Sequence, residues 1–294
     1  MQIIKTINEL RPVIREYRLK NKSIGLVPTM GALHPGHLSL IKASTEECEC
    51  TVISIFVNPI QFADKRDYTS YPRDFKKDTQ IARDAGVDIL FMPADKEVYS
   101  EKSSTFVEVS GHVTNTLCGI SRPGHFRGVA TVVCKILNIV QPDKAYFGMK
   151  DAQQAMVVGK MVNDLNFPVD IRFMPIVREK NGLAYSSRNE NLTDKEREKA
   201  MILNQTLCYA EKRIIEDKEL DAMKITGEMY EMVSKIKGAE IDYISIVSLP
   251  DLKDVKEIKD QVLIAMAVFI GETRLIDNII LNVSSHQDRK TQKN

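Results

Sequence analysis

The chain has 294 residues, and 43% of them are hydrophobic, so it is long enough and apolar enough to bury a sizeable core. Lys and Arg total 41 against 40 for Asp and Glu. The resulting net charge of +1 provides no long-range field to hold a polyanion, which disfavours nucleic acid as a partner.

No apolar run approaches the length that spans a bilayer, and Met1-Gln2-Ile3-Ile4-Lys5 becomes charged at once, so we expect neither a leader nor a membrane partner. The five cysteines are scattered, odd in number and without a Cys-x-x-Cys pair. That pattern is typical of free thiols in a reducing compartment, and we expect a cytoplasmic protein.

Up to about residue 175, short β-branched runs alternate with helical segments, a pattern that predicts βαβ units and a parallel sheet. The predicted strands are Ile24–Pro28, Thr51–Val57, Val87–Met92, Lys144–Phe147 and Val169–Phe173. The predicted helices include His37–Cys48 and Val129–Val140, which carry apolar residues at helical spacing. The sequence therefore indicates an α/β fold with a Rossmann-like, doubly wound parallel sheet.

After Val177 the pattern changes. Thr193 and Glu196 form a capping box that predicts a helix through about Asp217, and a second helix is expected over Leu220–Ile236. Three predicted strands follow, at Ile241–Val247, Gln261–Phe269 and Arg274–Leu281. This part of the chain is typical of a smaller α+β domain.

The first functional motif follows the first buried strand, where Pro28-Thr29-Met30-Gly31 leads into His34-Pro35-Gly36-His37. This His-x-Gly-His pattern is typical of enzymes that cut ATP between its α- and β-phosphates. The N-terminus of the following helix offers N–H groups and a positive dipole to phosphate, and two imidazoles can donate hydrogen bonds to developing charge. The alternative is structural, with His34 capping a turn and His37 beginning a helix.

Further polar segments follow other predicted strands, where ligands bind in an open parallel sheet. Asn58 and Gln61 lie in a Pro-containing loop, and Asp78 lies downstream; a turn starter and a solvated helix charge are the structural alternatives. Arg127, in a glycine-flanked turn, suits either a phosphate or the surface.

Two more polar segments come later in the chain. In Gly148-Met149-Lys150-Asp151, with Gln154 following, Asp151 and Gln154 suit helix capping. Lys150 at a helix N-terminus instead suggests an anionic ligand. Ser186-Ser187-Arg188 forms a cluster of hydrogen-bond donors for phosphate oxygens, on a segment mobile enough to close over a ligand, or else a ligand-free hinge.

Taken together and in this order, these segments resemble the pantothenate synthetase family, the AMP-forming pantoate–β-alanine ligases of the HIGH-motif nucleotidyl-transferase superfamily. The matching runs are Pro28–Gly31 with His34 and His37, Phe56–Phe62, Tyr71–Arg73, Phe126–Val129, Lys150–Asp151 with Gln153 and Gln154, and Ser186–Asn189. The chain departs from the family pattern at Met149, Asn181 and Tyr185.

The resemblance implies a Rossmann-like domain over residues 1–176 that binds nucleotide and pantoate, an α+β domain over 177–284 that covers ATP, and a polar tail over 285–294. It also implies the substrates ATP, pantoate and β-alanine, dependence on Mg²⁺, and a homodimer. The implied reaction passes through pantoyl adenylate and gives pantothenate, AMP and pyrophosphate.

The resemblance also assigns residues. Four are expected to be catalytic, namely His34, His37, Lys150 and Arg188. The residues expected to bind ATP are Met30, His34, His37, Gly148, Lys150, Asp151, Val177, Ser186, Ser187 and Arg188. Gln61 and Gln154 are expected to hold pantoate, and Asp78 to bind magnesium.

Two other function classes share part of this pattern. An adenylyltransferase of coenzyme assembly would have the same histidine turn, but it would release pyrophosphate and never AMP. A non-catalytic ATP-binding module would release no pyrophosphate at all.

Overall fold

In the computed structural model, which describes residues 1–62 and 65–283, the chain divides into two units. Unit 1 comprises Met1–Ser110, Arg122–Met149 and Gln154–Val177. Unit 2 comprises Gly111–Ser121, Lys150–Gln153 and the chain from Arg178 onward. The predicted polar tail at 285–294 lies outside the described residues, and the boundaries at 176 and 284 stay predictions.

The strands are β1 (Gln2–Ile4), β2 (Ile24–Thr29), β3 (Cys50–Ile55), β4 (Ile89–Phe91), β5 (Lys144–Gly148), β6 (Asp170–Met174), β7 (Ala239–Ser248), β8 (Gln261–Ile270) and β9 (Thr273–Asn282). The helices are α1 (Ile7–Leu19), α2 (Pro35–Glu47), α3 (Lys65–Ser70), α4 (Phe75–Asp84), α5 (Asp95–Val98), α6 (Cys118–Ser121), α7 (His125–Val140), α8 (Ala152–Asp164), α9 (Asp194–Ile215) and α10 (Ala222–Ser234). Short 3₁₀ turns occupy Pro59–Gln61, His112–Thr114, Met149–Asp151 and Ser187–Asn191.

The sheet of unit 1 is parallel, with the strand order β1-β4-β3-β2-β5-β6. From β2 the chain proceeds to β3 on one side and later to β5 on the other, so the order reverses at β2. In open parallel sheets, ligands bind at such a switch point, beyond the carboxyl ends of the strands. The fold therefore places its ligand-binding edge after β2, β3 and β5.

The sheet separates at this edge. Strand β2 pairs with β3 as far as Thr29↔Ile55, whereas its pairing with β5 ends at Leu26↔Ala145. Pro28, which has no N–H to donate, lies beyond the last β2–β5 pair. Pro28 thus accounts for the early end of the β2–β5 ladder at the switch point.

A largely apolar core holds unit 1 together. Val27, Ile53, Leu90 and Tyr146 have no exposed surface, and helix α2 contributes Ile41 to the same cluster. Because both faces of the central strands are covered, these strands appear in the sequence as continuous β-branched runs rather than as alternating patterns. This explains why the sequence predicts β2 to β6 to within two residues at each end.

Unit 2 packs α9 and α10 against an antiparallel sheet of order β7-β8-β9. Every second residue of β8, from Val262 to Ile270, belongs to the core that includes Leu203 and Met229 of the helices. The segment 111–121 also belongs to unit 2, where Gln153 accepts from the N–H of Cys118 and donates to the carbonyls of Val113 and Thr116.

The predicted fold class is confirmed: a doubly wound parallel sheet is accompanied by a smaller α+β unit. Elements β1 and α1 were not predicted, since β1 has only three residues and α1 contains Pro12 in its interior. In residues 1–62 and 65–283, no helix is both long and apolar enough to cross a bilayer.

The predicted capping box of α9 is present. Thr193 accepts from the N–H of Glu196, and the Glu196 carboxylate accepts from the N–H of Thr193 at 2.9 Å. The backbone N–H of Thr193 holds the pKa of the Glu196 carboxyl below its usual range.

Replacement of Thr193 by Ala is expected to lower the free energy of unfolding by about 1 kcal/mol, because a first-turn N–H loses its acceptor. Thr45→Ala, the same substitution at an exposed position inside α2, removes no cap and serves as the control. Urea denaturation of both variants measures the difference; equal unfolding free energies would contradict the prediction.

Candidate active site

The turn that follows β2 has an unusual backbone. Gly31 and Ala32 have φ angles of +85° and +49°, in the left-handed region that an alanine rarely adopts. The Thr29 hydroxyl accepts from the N–H of Gly31 at 3.1 Å and donates to the carbonyl of Ser54 at 2.9 Å. The turn therefore needs side-chain partners to hold it.

Asp78, in the first turn of α4, supplies the main partner. Its carboxylate oxygens accept from the N–H of Ala32 at 2.9 Å and the N–H of Leu33 at 2.8 Å. The side chain is 1% exposed, and burial raises the pKa of its carboxyl, while the two N–H donors oppose that rise. Asp78 is thus an internal anion bound by the turn.

This geometry gives Asp78 a structural role in addition to the magnesium ligation expected above. Both of its oxygens already accept backbone hydrogen bonds inside the protein. Among residues 1–62 and 65–283, no group of three or more His, Cys, Asp or Glu side chains is placed to hold a metal. Each carboxylate oxygen keeps further lone pairs beyond these hydrogen bonds, so the role of Asp78 as a magnesium ligand stays a prediction.

The two histidines cap helix α2. The Nδ1 atom of His34 accepts from the N–H of Gly36 at 3.1 Å, and the Nδ1 atom of His37 accepts from the N–H of His34 at 3.4 Å. The rings lie 4.0 Å apart between centroids. Since each Nδ1 is an acceptor, the proton of each neutral imidazole is assigned to Nε2.

Helix α2 is also suited to an anion at its N-terminus. Its first turn contains no Asp or Glu, as in α7, α8 and α10, whereas the first turns of α1, α4 and α9 each contain at least one. An acid there would compete with a bound anion for the N–H groups and the positive end of the dipole. The structural and functional alternatives for His34 and His37 are therefore compatible, since capping fixes the rings at the positive end of the helix.

Gln61 lies beside this turn and is 7% exposed. Its Nε2 donates to the sulfur of Met30 at 3.2 Å, and its Oε1 accepts from Asn58 Nδ2 at 3.0 Å. Asn58 in turn donates to the carbonyl of Gly128 and accepts from the hydroxyl of Tyr99. The predicted site residues Met30 and Gln61 are thus brought into direct contact.

Helix α7 fixes the turn that carries Gln61. A Cβ on Gly128 would lie 2.6 Å from the Gln61 Cα and 2.6 Å from the Ile60 carbonyl oxygen, so only glycine permits this approach. His125 Nδ1 bonds to the carbonyl of Gln61 at 2.9 Å. Gly128 and His125 are supporting residues; Gly128 lies in the matching run Phe126–Val129, but neither residue was assigned a role from the sequence.

The other predicted residues of unit 1 are placed separately. Gly148 is the last residue of β5, Gln154 is half-buried in the first turn of α8, and Val177 is the last residue of the unit. Arg127 is exposed and lies over the ring of Phe106 at 4.0 Å, so it occupies the surface position. The roles given to Gly148, Gln154 and Val177 stay predictions.

Unit 2 carries the remaining predicted residues. Lys150 and Ser186 line one small cavity, together with Asn189 and Asp277. Ser186 caps the 3₁₀ turn that contains Ser187 and Arg188, since its hydroxyl accepts from the N–H of Arg188. Asp151 is exposed. Lys150 and Ser186, which are 36 positions apart in the chain, are therefore brought together.

The segment before Ser186 is firmly attached to its own unit. Arg178 binds both carboxylate oxygens of Asp277, at 2.6 and 2.9 Å. Glu179 accepts from Arg197 of α9 at 2.6 and 2.7 Å. The segment was expected to be mobile enough to close over a ligand; these contacts attach it to β9 and α9, so it is not an independent loop.

Asn181, which departs from the family pattern, still supports the turn before Ser186. Asn181 Oδ1 accepts from the N–H of Leu183 at 3.1 Å, which an aspartate at that position would do equally well. The turn also uses Gly182, whose φ of +91° is open to glycine. The backbone course before Ser186 is therefore maintained.

The comparisons with known proteins agree with one another. A profile of the pantoate-beta-alanine ligase family matches residues 2–280. The pantothenate synthetase of Acetivibrio thermocellus is 50% identical over 96% of this chain and 100% of its own length. The crystal structure of pantothenate synthetase from Thermus thermophilus superposes with a TM-score of 0.89 at 40% identity, covering 95% of this chain and 99% of that one.

A third relative is a pantoate-beta-alanine ligase from Francisella tularensis, whose crystal structure holds β-γ ATP and β-alanine. It is 35% identical, and it superposes with a TM-score of 0.78 over 95% of this chain and 97% of its own.

The position of Asp78 leads to a stability prediction. Asp78→Asn replaces one acceptor with an amide that faces a backbone N–H, and we expect a loss of about 1–3 kcal/mol in the free energy of unfolding. Asp74→Asn, four residues earlier on the same helix, keeps an equally good N-cap and is the control. Urea unfolding compares them; a loss no larger for Asp78→Asn than for Asp74→Asn would contradict the prediction.

Proposed function

This chain belongs to the pantoate–β-alanine ligase family and forms pantothenate from pantoate and β-alanine with ATP, and on that premise we propose how its side chains divide the reaction. A pantoate carboxylate oxygen attacks the α-phosphorus, the bond to the bridging oxygen breaks, and pyrophosphate leaves with the electron pair. The amine of β-alanine then attacks the acyl carbon of pantoyl adenylate, AMP leaves, and the nitrogen releases a proton.

We assign the α-phosphate to His34, His37 and the N-terminus of α2. The observation that carries this assignment is the pair of Nδ1 acceptors, which fixes both rings and assigns their protons to Nε2. Donors fixed in advance stabilise charge that develops in the transition state without reorganising. No acidic side chain in the first turn of α2 opposes the phosphate.

We assign pantoate to Gln61 and Gln154. The Gln61 amide donates to the Met30 sulfur, which is a weak acceptor. A carboxylate or hydroxyl oxygen of pantoate is a better acceptor and would replace the sulfur without leaving a buried donor unpaired. Asn58 holds the other end of the same amide, so the Gln61 donor keeps its direction.

We assign the phosphates in transfer to Lys150, and the β- and γ-phosphates to Ser186, Ser187 and Arg188. Lys150 and Ser186 line one cavity of unit 2, and the cap made by Ser186 fixes the backbone at Arg188. Cations and hydroxyl donors suit phosphate oxygens. Asp151 would bind the ribose, and Gly148 and Val177 would line the nucleotide site, as the family resemblance implies.

We propose that Mg²⁺ enters as MgATP, with phosphate oxygens and water as its main ligands. Mg²⁺ is commonly held by substrate phosphates with few protein ligands. The described residues offer no group of three or more His, Cys, Asp or Glu side chains for it, so Asp78, which also accepts the N–H groups of Ala32 and Leu33, would supply a single carboxylate. From the family resemblance we also propose a cytoplasmic homodimer, which light scattering and cell fractionation test.

The exchange of labelled pyrophosphate into ATP tests the reaction directly. We expect exchange only when pantoate is present, and AMP release on addition of β-alanine, because the acyl adenylate forms first. Exchange without pantoate, or no exchange with it, would contradict the assignment of the first step.

Two substitutions at His34 separate capping from catalysis. His34→Asn keeps a good N-cap acceptor but lacks the Nε2 donor, whereas His34→Ala loses both. We expect both variants to lower turnover by ~100-fold or more, and only His34→Ala to lose about 1 kcal/mol of stability. Lys150→Ala is expected to lower turnover similarly. Near-normal turnover in His34→Asn would overturn the catalytic role of His34.

A further inference from the structure

Two adjacent polar residues, Asp277 and Asn278, lie in the middle of β9, between Ile276 and Ile279. They are 2% and 5% exposed. A buried polar side chain lowers stability unless it is hydrogen bonded, and a buried charge does so more strongly. Hydrogen bonds to other residues must therefore compensate for the burial of these two side chains in an apolar strand.

Asp277 binds the guanidinium of Arg178 at two points. Arg178 Nη1 donates to one carboxylate oxygen at 2.6 Å, and Nη2 donates to the other at 2.9 Å. The Asp277 side chain is 1% exposed and that of Arg178 is 24% exposed. A paired fork of this kind fixes orientation as well as distance.

Arg178, held by Asp277, in turn contacts the segment that leads to Ser186. Its Nη1 also donates to the carbonyl of Gly182 at 3.1 Å, and its backbone forms a bridge with Ala184. Ala184 in turn accepts from Asn189 at 3.0 Å, on the far side of Ser186. The course of the chain through 184–189 is thereby tied to Asp277.

Asn278 holds the other phosphate-binding segment. Its Nδ2 donates to the backbone carbonyl of Lys150 at 2.9 Å, across 128 positions of the chain. Its own N–H is accepted by Asp277 Oδ1 at 2.8 Å, and its carbonyl accepts from Arg178 Nη2 at 3.3 Å. One dipeptide of β9 therefore contacts both segments.

We propose that Asp277 and Asn278 are positioning residues of the ligase reaction, which fix Lys150 and the Ser186–Arg188 turn relative to each other for the phosphates of ATP. This inference rests on the proposed phosphate-binding roles of Lys150 and Ser186–Arg188. The two segments are 36 positions apart in the chain, and β9 gives them one rigid reference. A displacement of about 1 Å at such groups costs on the order of 100-fold in rate.

A purely structural role predicts a different result. If the dipeptide only stabilised the edge of the sheet, its loss would lower stability without a selective effect on ATP. The pair Arg274 and Asp242 provides the comparison, because it joins β9 to β7 with contacts of 2.6 and 3.0 Å. The two arginines are similarly buried, while the side chain of Asp242 is 19% exposed against 1% for Asp277. Within the described chain, the side-chain hydrogen bonds of Arg274 go to Asp242, Cys118 and Ser121, and not to Lys150 or the 178–189 segment.

The test uses the full-length enzyme with Asn278→Ala, Asp277→Asn and the control Asp242→Asn. Calorimetric titration with MgATP gives the Kd for ATP, pantoate-dependent exchange gives the KM for pantoate, and urea unfolding gives stability. We expect Asn278→Ala and Asp277→Asn to weaken ATP binding ~10-fold or more, with the pantoate KM changed by less than about twofold. Asp242→Asn is expected to lose stability and to keep its affinity for ATP.

The proposal would be overturned if the two β9 variants weakened ATP binding no more than Asp242→Asn at comparable stability. Asn278→Ala removes a neutral side chain and provides a folded variant if Asp277→Asn unfolds. Lys150→Ala in the same titration separates the two levels of inference. Unchanged ATP affinity in Lys150→Ala would reject its phosphate role, whereas weakened binding there with unaffected β9 variants would reject the positioning role alone.

Discussion

The main constraint on this structure is the need to pair backbone N–H and carbonyl groups that have no partner in a helix or a sheet. The turn after β2 presents the N–H groups of Ala32 and Leu33, and Asp78 accepts both. In unit 2, the outer edge of β9 presents the N–H and carbonyl of Asn278, which Asp277 and Arg178 satisfy. Unsatisfied buried groups would each cost about 1–3 kcal/mol, so these side chains are held firmly. Both arrangements lie beside residues proposed to bind substrate.

The two histidines also pair backbone N–H groups. A helix must satisfy its first N–H groups, and His34 and His37 do so through Nδ1. An imidazole has a second nitrogen that cannot point the same way, so capping leaves a directed donor on Nε2. The structural role and the proposed catalytic role of these histidines are therefore consistent with one geometry, which two histidines three positions apart are enough to build. The Gln61 amide is similar, because Asn58 holds its Oε1 and its Nε2 donates towards the sulfur of Met30.

Interactions between residues close together in the chain could be predicted from the sequence, whereas interactions between distant residues could not. The capping motif of α2 and the box at Thr193 are local, and their spacing alone predicts them. The strands of the parallel sheet were recognisable because burial on both faces requires β-branched runs. By contrast, Asp78 bonds to residues 45 and 46 positions away, and Asp277 to one 99 positions away. Charge and burial could not be assigned to them from spacing, although two adjacent polar residues inside an apolar strand were a signal in the sequence of β9.

The edge of β9 has a consequence outside catalysis. An exposed strand edge with open N–H and carbonyl groups is a template on which another chain can add a strand, and long apolar edges promote aggregation. In the described part of unit 2, β9 is an outer strand, ten residues long and rich in isoleucine and leucine. The guanidinium of Arg178 covers its midpoint at Asn278. Arg178 thereby blocks backbone pairing at this point, so the contact that holds the segment leading to Ser186 also keeps the middle of this edge from adding a strand of another chain.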